Sequence, residues 1–74
     1  MTTKELNDLL DERIAAVVED LRKTANMTPV EFNGTVAGFL IKTGIHIAAA
    51  NGCPNAILRN QVNATIKEAY RAHR

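Results

Sequence analysis

The first stretch of the chain repeats apolar residues at steps of three and four positions, which is the spacing of one face of an α-helix. The repeat consists of Leu6, Leu10, Ile14, Val17 and Leu21. Thr2 followed by Glu5 three residues later is typical of a helix start, where side chains satisfy free backbone amides. We therefore predict an amphipathic helix over about residues 3–25, with the apolar repeat on one face and charged residues opposite.

A second helix is predicted over residues 29–51. Thr28 suits the capping position, Pro29 the first helical position, and Glu31 the third, which together are typical of a helix start. At the other end, Asn51 and Gly52 are typical of a helix end, because glycine readily adopts the left-handed conformation that terminates helices.

The second segment is apolar on every side. Between Gly34 and Ala50 the one fixed charge belongs to Lys42. The large apolar residues of this segment point in several directions around a helix, so no single face contains them. A helix with this pattern is usually buried. We therefore predict a buried central helix.

Residues 39–47 also admit a β-hairpin. Phe39-Leu40-Ile41 and Ile45-His46-Ile47 then form two strands, and Lys42-Thr43-Gly44 forms a three-residue loop with glycine in the left-handed conformation. An isolated two-stranded hairpin is marginal in water, and the helix start upstream and the alanines 48–50 downstream favour helix. Helix is the preferred prediction, and the hairpin is the alternative.

The third segment predicts a helix over residues 54–72, with Pro54 at its first position. Its apolar stripe is made of Leu58, Val62, Ile66 and Ala69. Because the connections between the three segments are short, neighbouring helices are expected to be antiparallel. The predicted fold is all-α, a small three-helix antiparallel unit in a single domain over residues 1–74.

A chain of 74 residues has little core, and small proteins of this size usually need an additional source of stability. Cys53 is the one cysteine, so disulfides within the chain are excluded, whereas the 46% hydrophobic content favours oligomerisation. Mid-helix glycines at 34 and 38 indicate close backbone approach, either inside the chain's own fold or at a seam between copies. We expect the fold to be completed by homo-oligomerisation, most simply as a two-fold dimer. The expected seam consists of Gly34, Val36, Gly38, Phe39, Ile41, Ile45 and Ala48.

Charge changes sign along the chain: residues 1–25 carry −2, residues 26–53 carry 0, and residues 54–74 carry +3. The basic end contains a ridge of polar residues at steps of four, four, four and three on one side of the third helix. The ridge consists of Arg59, Asn63, Lys67, Arg71 and Arg74. Such a ridge is either an ordinary solvated face or a binding surface for phosphate groups or an acidic partner.

No pattern in the sequence indicates catalysis, a cofactor or a metal. Paired carboxylates in an apolar setting, a glycine-rich phosphate loop and a Cys/His ligand set are all lacking. His46 and Cys53 are two helical turns apart, but the break at Gly52 separates them and no third ligand accompanies them. Lys42 near the middle of the apolar segment opposes a membrane span. A lone cysteine, and an N-terminus without the features of a secretory signal, predict a cytoplasmic location.

Together these features predict a non-enzymatic, small helical interaction or regulatory protein. It is expected to self-associate and to bind an unidentified protein partner, as small accessory or phage-type inhibitors of host proteins do. The alternative is phosphate-directed binding of nucleic acid or a small nucleotide through the third helix.

Overall fold

The structure of the chain is a computed structural model that describes residues 1–73. Within these residues it contains three α-helices and no strand: α1 (Thr3–Thr24), α2 (Pro29–Ala50) and α3 (Asn55–Ala72). Every helix end lies within one residue of its predicted position, and the prediction of an all-α, three-helix chain is confirmed. Arg74, the last member of the predicted ridge, lies outside the described residues. None of the three helices is both long enough and apolar enough to cross a membrane.

The hairpin alternative for residues 39–47 is wrong, because α2 continues unbroken through them. Its proposed loop needs a left-handed residue at Gly44. Among residues 1–73, however, positive φ angles occur only at Asn26 and Gly52. The local β propensity of the flanking residues is therefore overridden by the helix that Thr28 starts.

Hydroxyl groups cap the first two helices. Thr2 Oγ1 accepts from the Glu5 amide at 3.1 Å, and Thr28 Oγ1 accepts from the Glu31 amide at 3.2 Å. Pro54 differs from its prediction by one residue, since it is the N-cap of α3 and not the first helical residue, and it supplies no side-chain cap. The α3 start therefore lacks a stabilising contact that α1 and α2 both have.

Each helix-to-helix turn contains one left-handed residue, Asn26 with φ 52° and Gly52 with φ 76°. At the second turn the Cys53 amide donates to the Ala48 carbonyl at 3.0 Å, and the Gly52 amide donates to the Ala49 carbonyl at 3.2 Å. This pair of bonds is the Schellman motif, which satisfies carbonyls that a helix end otherwise leaves free. The turn residue Asn51 also donates its side-chain amide to the Ile47 carbonyl at 2.7 Å.

The chain divides into an N-terminal unit, Met1–Gly38, and a C-terminal unit, Phe39–Arg74, and α2 begins in the first and ends in the second. In the N-terminal unit Phe32 is 5% exposed. The Arg22 guanidinium lies 4.8 Å from the centre of its ring and donates to Asn33 Oδ1 at 3.1 Å. These contacts join the last turn of α1 to the first turns of α2.

Among residues 1–73 the side chains of the central helix are mostly exposed, so the predicted burial is not shown within one chain. Phe32 is the one buried residue among residues 1–73, and Phe39 and Ile41 of α2 are 64% and 61% exposed. The apolar repeat of α1, called the α1 stripe below, is likewise 39–57% exposed. The C-terminal unit contains no buried residue in its described part and is held by half-buried side chains. These are Thr43, Ala48, Cys53, Leu58 and Val62.

Candidate functional site

The C-terminal unit contains an open groove of about 600 Å³ between the last turns of α2 and the first half of α3. Its lining consists of Ile45, Ala49, Cys53, Asn55, Leu58, Arg59, Val62 and Asn63. The α2 wall is apolar, and the α3 wall carries both apolar and polar residues. The groove therefore combines an apolar floor with hydrogen-bonding groups, as binding sites for amphipathic partners do.

Helical spacing explains how the α3 wall is built. Asn55, Arg59 and Asn63 follow one another at steps of four and so lie in one row. Leu58 and Val62 form a parallel apolar row beside it. The groove thus has a polar edge with one positive charge.

The turn between α2 and α3 forms one end of the groove. Ile45 and Ala49 are four apart on α2, and the Schellman turn carries Cys53 back beside them. Cys53 is half-buried and its thiol is free. The single cysteine of the chain therefore lies in the groove lining, which no motif in the sequence indicated.

The described part of the basic ridge is exposed along its whole length: Arg59, Asn63, Lys67 and Arg71. Two ion pairs occur in residues 1–73, and both lie within α1, Lys4–Asp8 at 3.3 Å and Arg22–Glu19 at 3.5 Å. No described carboxylate therefore neutralises the ridge cations. The groove divides the ridge, because Arg59 and Asn63 line it whereas Lys67 and Arg71 lie beyond it.

The seven residues predicted for a seam between copies differ in how exposed they are. A Cβ added at Gly34 or Gly38 would meet no atom within 4 Å, so these glycines do not serve close packing inside the described chain. Phe39, Ile41 and Ile45 are 64%, 61% and 41% exposed. Val36 and Ala48 are half-buried within the chain. Of the seven predicted seam residues, Ile45 is the one that lines the groove.

The polar residues of α2 remain separate from the groove. Lys42 and His46 are both exposed, and neither lines it. Within residues 1–73 no three His, Cys, Asp or Glu side chains are grouped closely enough to hold a metal ion.

Sequence reasoning missed the groove and the contact between Arg22 and Phe32. A signal for the groove exists in the sequence, since residues 45, 49 and 53 are spaced by four and so are residues 55, 59 and 63. Nothing in the local pattern of α1 indicated that Arg22, which also pairs with Glu19 on its own helix, lies over the Phe32 ring. Comparisons of the chain with protein-family models, with curated proteins and with solved structures gave no significant match.

Proposed function

We propose that this chain is a non-enzymatic helical interaction protein that self-associates and then presents its charged faces to a macromolecular partner. The observation that carries the proposal is the exposure of large apolar side chains on all three helices. On α1 these side chains form a row along one helix face, and continuous apolar surface is typical of interaction sites.

Apolar exposure inside each unit supports self-association. In the N-terminal unit the α1 stripe is 39–57% exposed. In the C-terminal unit Phe39, Ile41 and Ile57 are 64%, 61% and 50% exposed. A second copy of the chain would remove such side chains from water.

The α2 seam remains the proposed contact region on the central helix. Gly34 and Gly38 have open space around them, so a neighbouring backbone can approach there without a clash. Ile41 and Ile45 are exposed on the same side of the helix, one turn apart. Covering such residues is worth about 25 cal/mol for each Å² of apolar surface.

Analytical ultracentrifugation over a concentration series tests self-association. We expect a dimer that dissociates on dilution, and Ile41→Glu should weaken it at least tenfold, because a charge would be buried at the seam. His46→Glu, which adds the same charge at an exposed position of α2 whose neighbours one turn away, residues 42, 43, 49 and 50, lie outside the seam, is the matched control and should leave the dimer intact. A wild-type chain that stays monomeric at high concentration would refute the proposal.

A second candidate function is phosphate-directed binding by the part of the ridge beyond the groove. Lys67 and Arg71 are exposed and have no described carboxylate partner, which favours this candidate. Cations of this kind bind phosphate oxygens or an acidic protein surface, and in nucleic-acid binding they release counterions.

Fluorescence anisotropy with labelled duplex DNA, single-stranded RNA and ATP tests the second candidate. Binding should fall as salt rises, and the double variant Lys67→Glu, Arg71→Glu should abolish it. The control is Lys23→Glu on α1. Binding that is insensitive to the double variant would exclude Lys67 and Arg71 as the site, and no binding of any of the three probes would refute the second candidate function.

A further inference from the structure

We propose that the groove of the C-terminal unit receives the α1 stripe of a second copy of the chain. The inference rests on the proposed self-association and names the surfaces that meet. In a two-fold dimer each chain then contributes one stripe and one groove, so that both surfaces are covered and the assembly closes.

The two surfaces match in chemistry. The α1 stripe offers a continuous row of half-exposed aliphatic side chains, and the groove offers an apolar floor of Ile45, Ala49, Leu58 and Val62. An amphipathic helix that lays its apolar face into such a groove is a common recognition mode.

The groove accommodates about half of the stripe, which rises about 22 Å from Leu6 to Leu21. The groove extends along α3 from Asn55 to Asn63, a rise of about 12 Å. The middle of the stripe, from Leu10 to Val17, rises about 10 Å. A helix seated there also reaches Ile41, which lies one turn before Ile45 on the same face of α2. The ends of the stripe would therefore cover exposed surface beside the groove.

Charge favours contact between unlike units of two copies. The N-terminal unit holds four basic and seven acidic side chains, a net charge of −3, whereas the C-terminal unit holds five basic and one acidic, a net charge of +4. Two like units brought together would repel, but an N-terminal unit attracts a C-terminal unit.

Individual charges fit the same arrangement. On a helical projection Asp11 flanks the stripe beside Ile14, and Asp20 flanks it on the other side beside Val17. Both carboxylates are exposed, and among the described residues neither forms an ion pair. Arg59 on the groove edge also lacks a described carboxylate partner. The edge of Asp20 also carries Arg13, four residues before Val17, so charge favours the direction of the stripe that brings the Asp11 edge toward Arg59.

Complementation between two broken copies tests the arrangement. Ile14→Glu places a charge in the stripe, and Val62→Lys places one in the groove. Each variant alone should lose at least tenfold in dimerisation. An equimolar mixture should recover a heterodimer by native mass spectrometry and ultracentrifugation, because the intact stripe of one chain meets the intact groove of the other. In the remaining contact the introduced Glu and Lys attract each other.

The controls place the same charges elsewhere on the same helices. Ala16→Glu lies on α1 away from the stripe, and Ile57→Lys lies on α3 outside the groove lining; both positions are exposed, and both variants should dimerise as the wild type does. Circular dichroism checks that each variant stays helical. Should Val62→Lys fail to fold, the exposed-site variant Arg59→Glu replaces it and should weaken dimerisation at least tenfold.

The outcomes separate this inference from the broader proposal. A wild-type dimer whose stripe and groove variants fail to complement, or dimerise normally, overturns the stripe-in-groove contact and leaves self-association standing. A wild-type monomer overturns both. Complementation by the variant pair, with the two controls unchanged, establishes the reciprocal contact.

Discussion

The contacts inside the N-terminal unit differ from those inside the C-terminal unit. The N-terminal unit contains the one buried residue among those described, Phe32, together with a guanidinium contact from Arg22, and hydroxyl caps start both of its helices. The C-terminal unit has no buried residue in its described part, no side-chain cap on α3, and an open groove. One buried aromatic ring joins the first pair of helices, whereas the second pair is held by its turn and by half-buried side chains and leaves an apolar surface exposed.

Among these substitutions, removal of the Phe32 ring should lower the free energy of unfolding most. Phe32→Ala is expected to lower the free energy of unfolding by about 3–5 kcal/mol, because it deletes a buried ring and leaves a cavity. Urea denaturation followed by circular dichroism measures the loss, at a concentration low enough for the chain to be monomeric because the control position, Phe39, belongs to the proposed seam. Phe39→Ala removes the same ring where it is 64% exposed, and should cost less than about 1 kcal/mol. Equal losses would show that Phe32 is not the residue that joins the first pair of helices.

A substitution in the turn of the C-terminal unit should have the next largest effect on the free energy of unfolding. Gly52 has φ 76°, and a side chain in the left-handed region costs about 1–2 kcal/mol. Gly52→Ala should therefore destabilise the protein by about that amount. Gly44→Ala is the matched control with the opposite sign: it lies within α2 with open space around it, so alanine should stabilise the helix by about 0.5–1 kcal/mol. Two changes of the same sign would contradict the assigned backbone conformations.

Loss of the guanidinium contact should weaken the N-terminal unit moderately. Arg22→Ala removes the hydrogen bond to Asn33, the interaction with the Phe32 ring and the exposed ion pair with Glu19, together worth about 1–1.5 kcal/mol at a partly exposed site. Lys23→Ala, one residue later on α1, should change the unfolding free energy by less than about 0.5 kcal/mol. The same denaturation measurement checks both variants, and similar small values for the two would remove Arg22 from the description of this joint.

The helix cap should give the smallest of these effects. Thr28→Ala deletes the acceptor for the Glu31 amide and should cost about 1 kcal/mol or slightly less. Thr35→Ala is its control, because the Thr35 hydroxyl donates to the Glu31 carbonyl at 2.8 Å inside α2 and caps nothing. Thermal unfolding should show a lower midpoint for Thr28→Ala alone; a comparable decrease for Thr35→Ala would mean that the cap is not the cause.

What the sequence predicted well depends on local chemistry. Thr28 with Pro29 started α2 and Gly52 ended it, because caps and left-handed turns are set by a few adjacent residues. The repeat in α1 indicated which side chains share a face. It did not indicate whether a neighbour covers that face, and the stripe is half-exposed.

The contacts that sequence reasoning missed are those between helices. Arg22 reaches Phe32 across a turn, and the groove lining comes from two helices, so neither follows from the period of one segment. The apolar character of α2 predicted a buried helix completed by a second copy, and among the described residues Phe32 is the one residue of α2 that is buried within the chain. Sequence patterns therefore predicted the ends of the helices more reliably than the contacts between helices.

The reactivity of Cys53 can report whether the groove is occupied. It is the one thiol in the sequence, it is half-buried, and it lines the groove. The rate at which a thiol reagent alkylates the unmodified protein should therefore depend on whether the groove is occupied. Following that rate against protein concentration gives an affinity for the occupant without a label or a substitution.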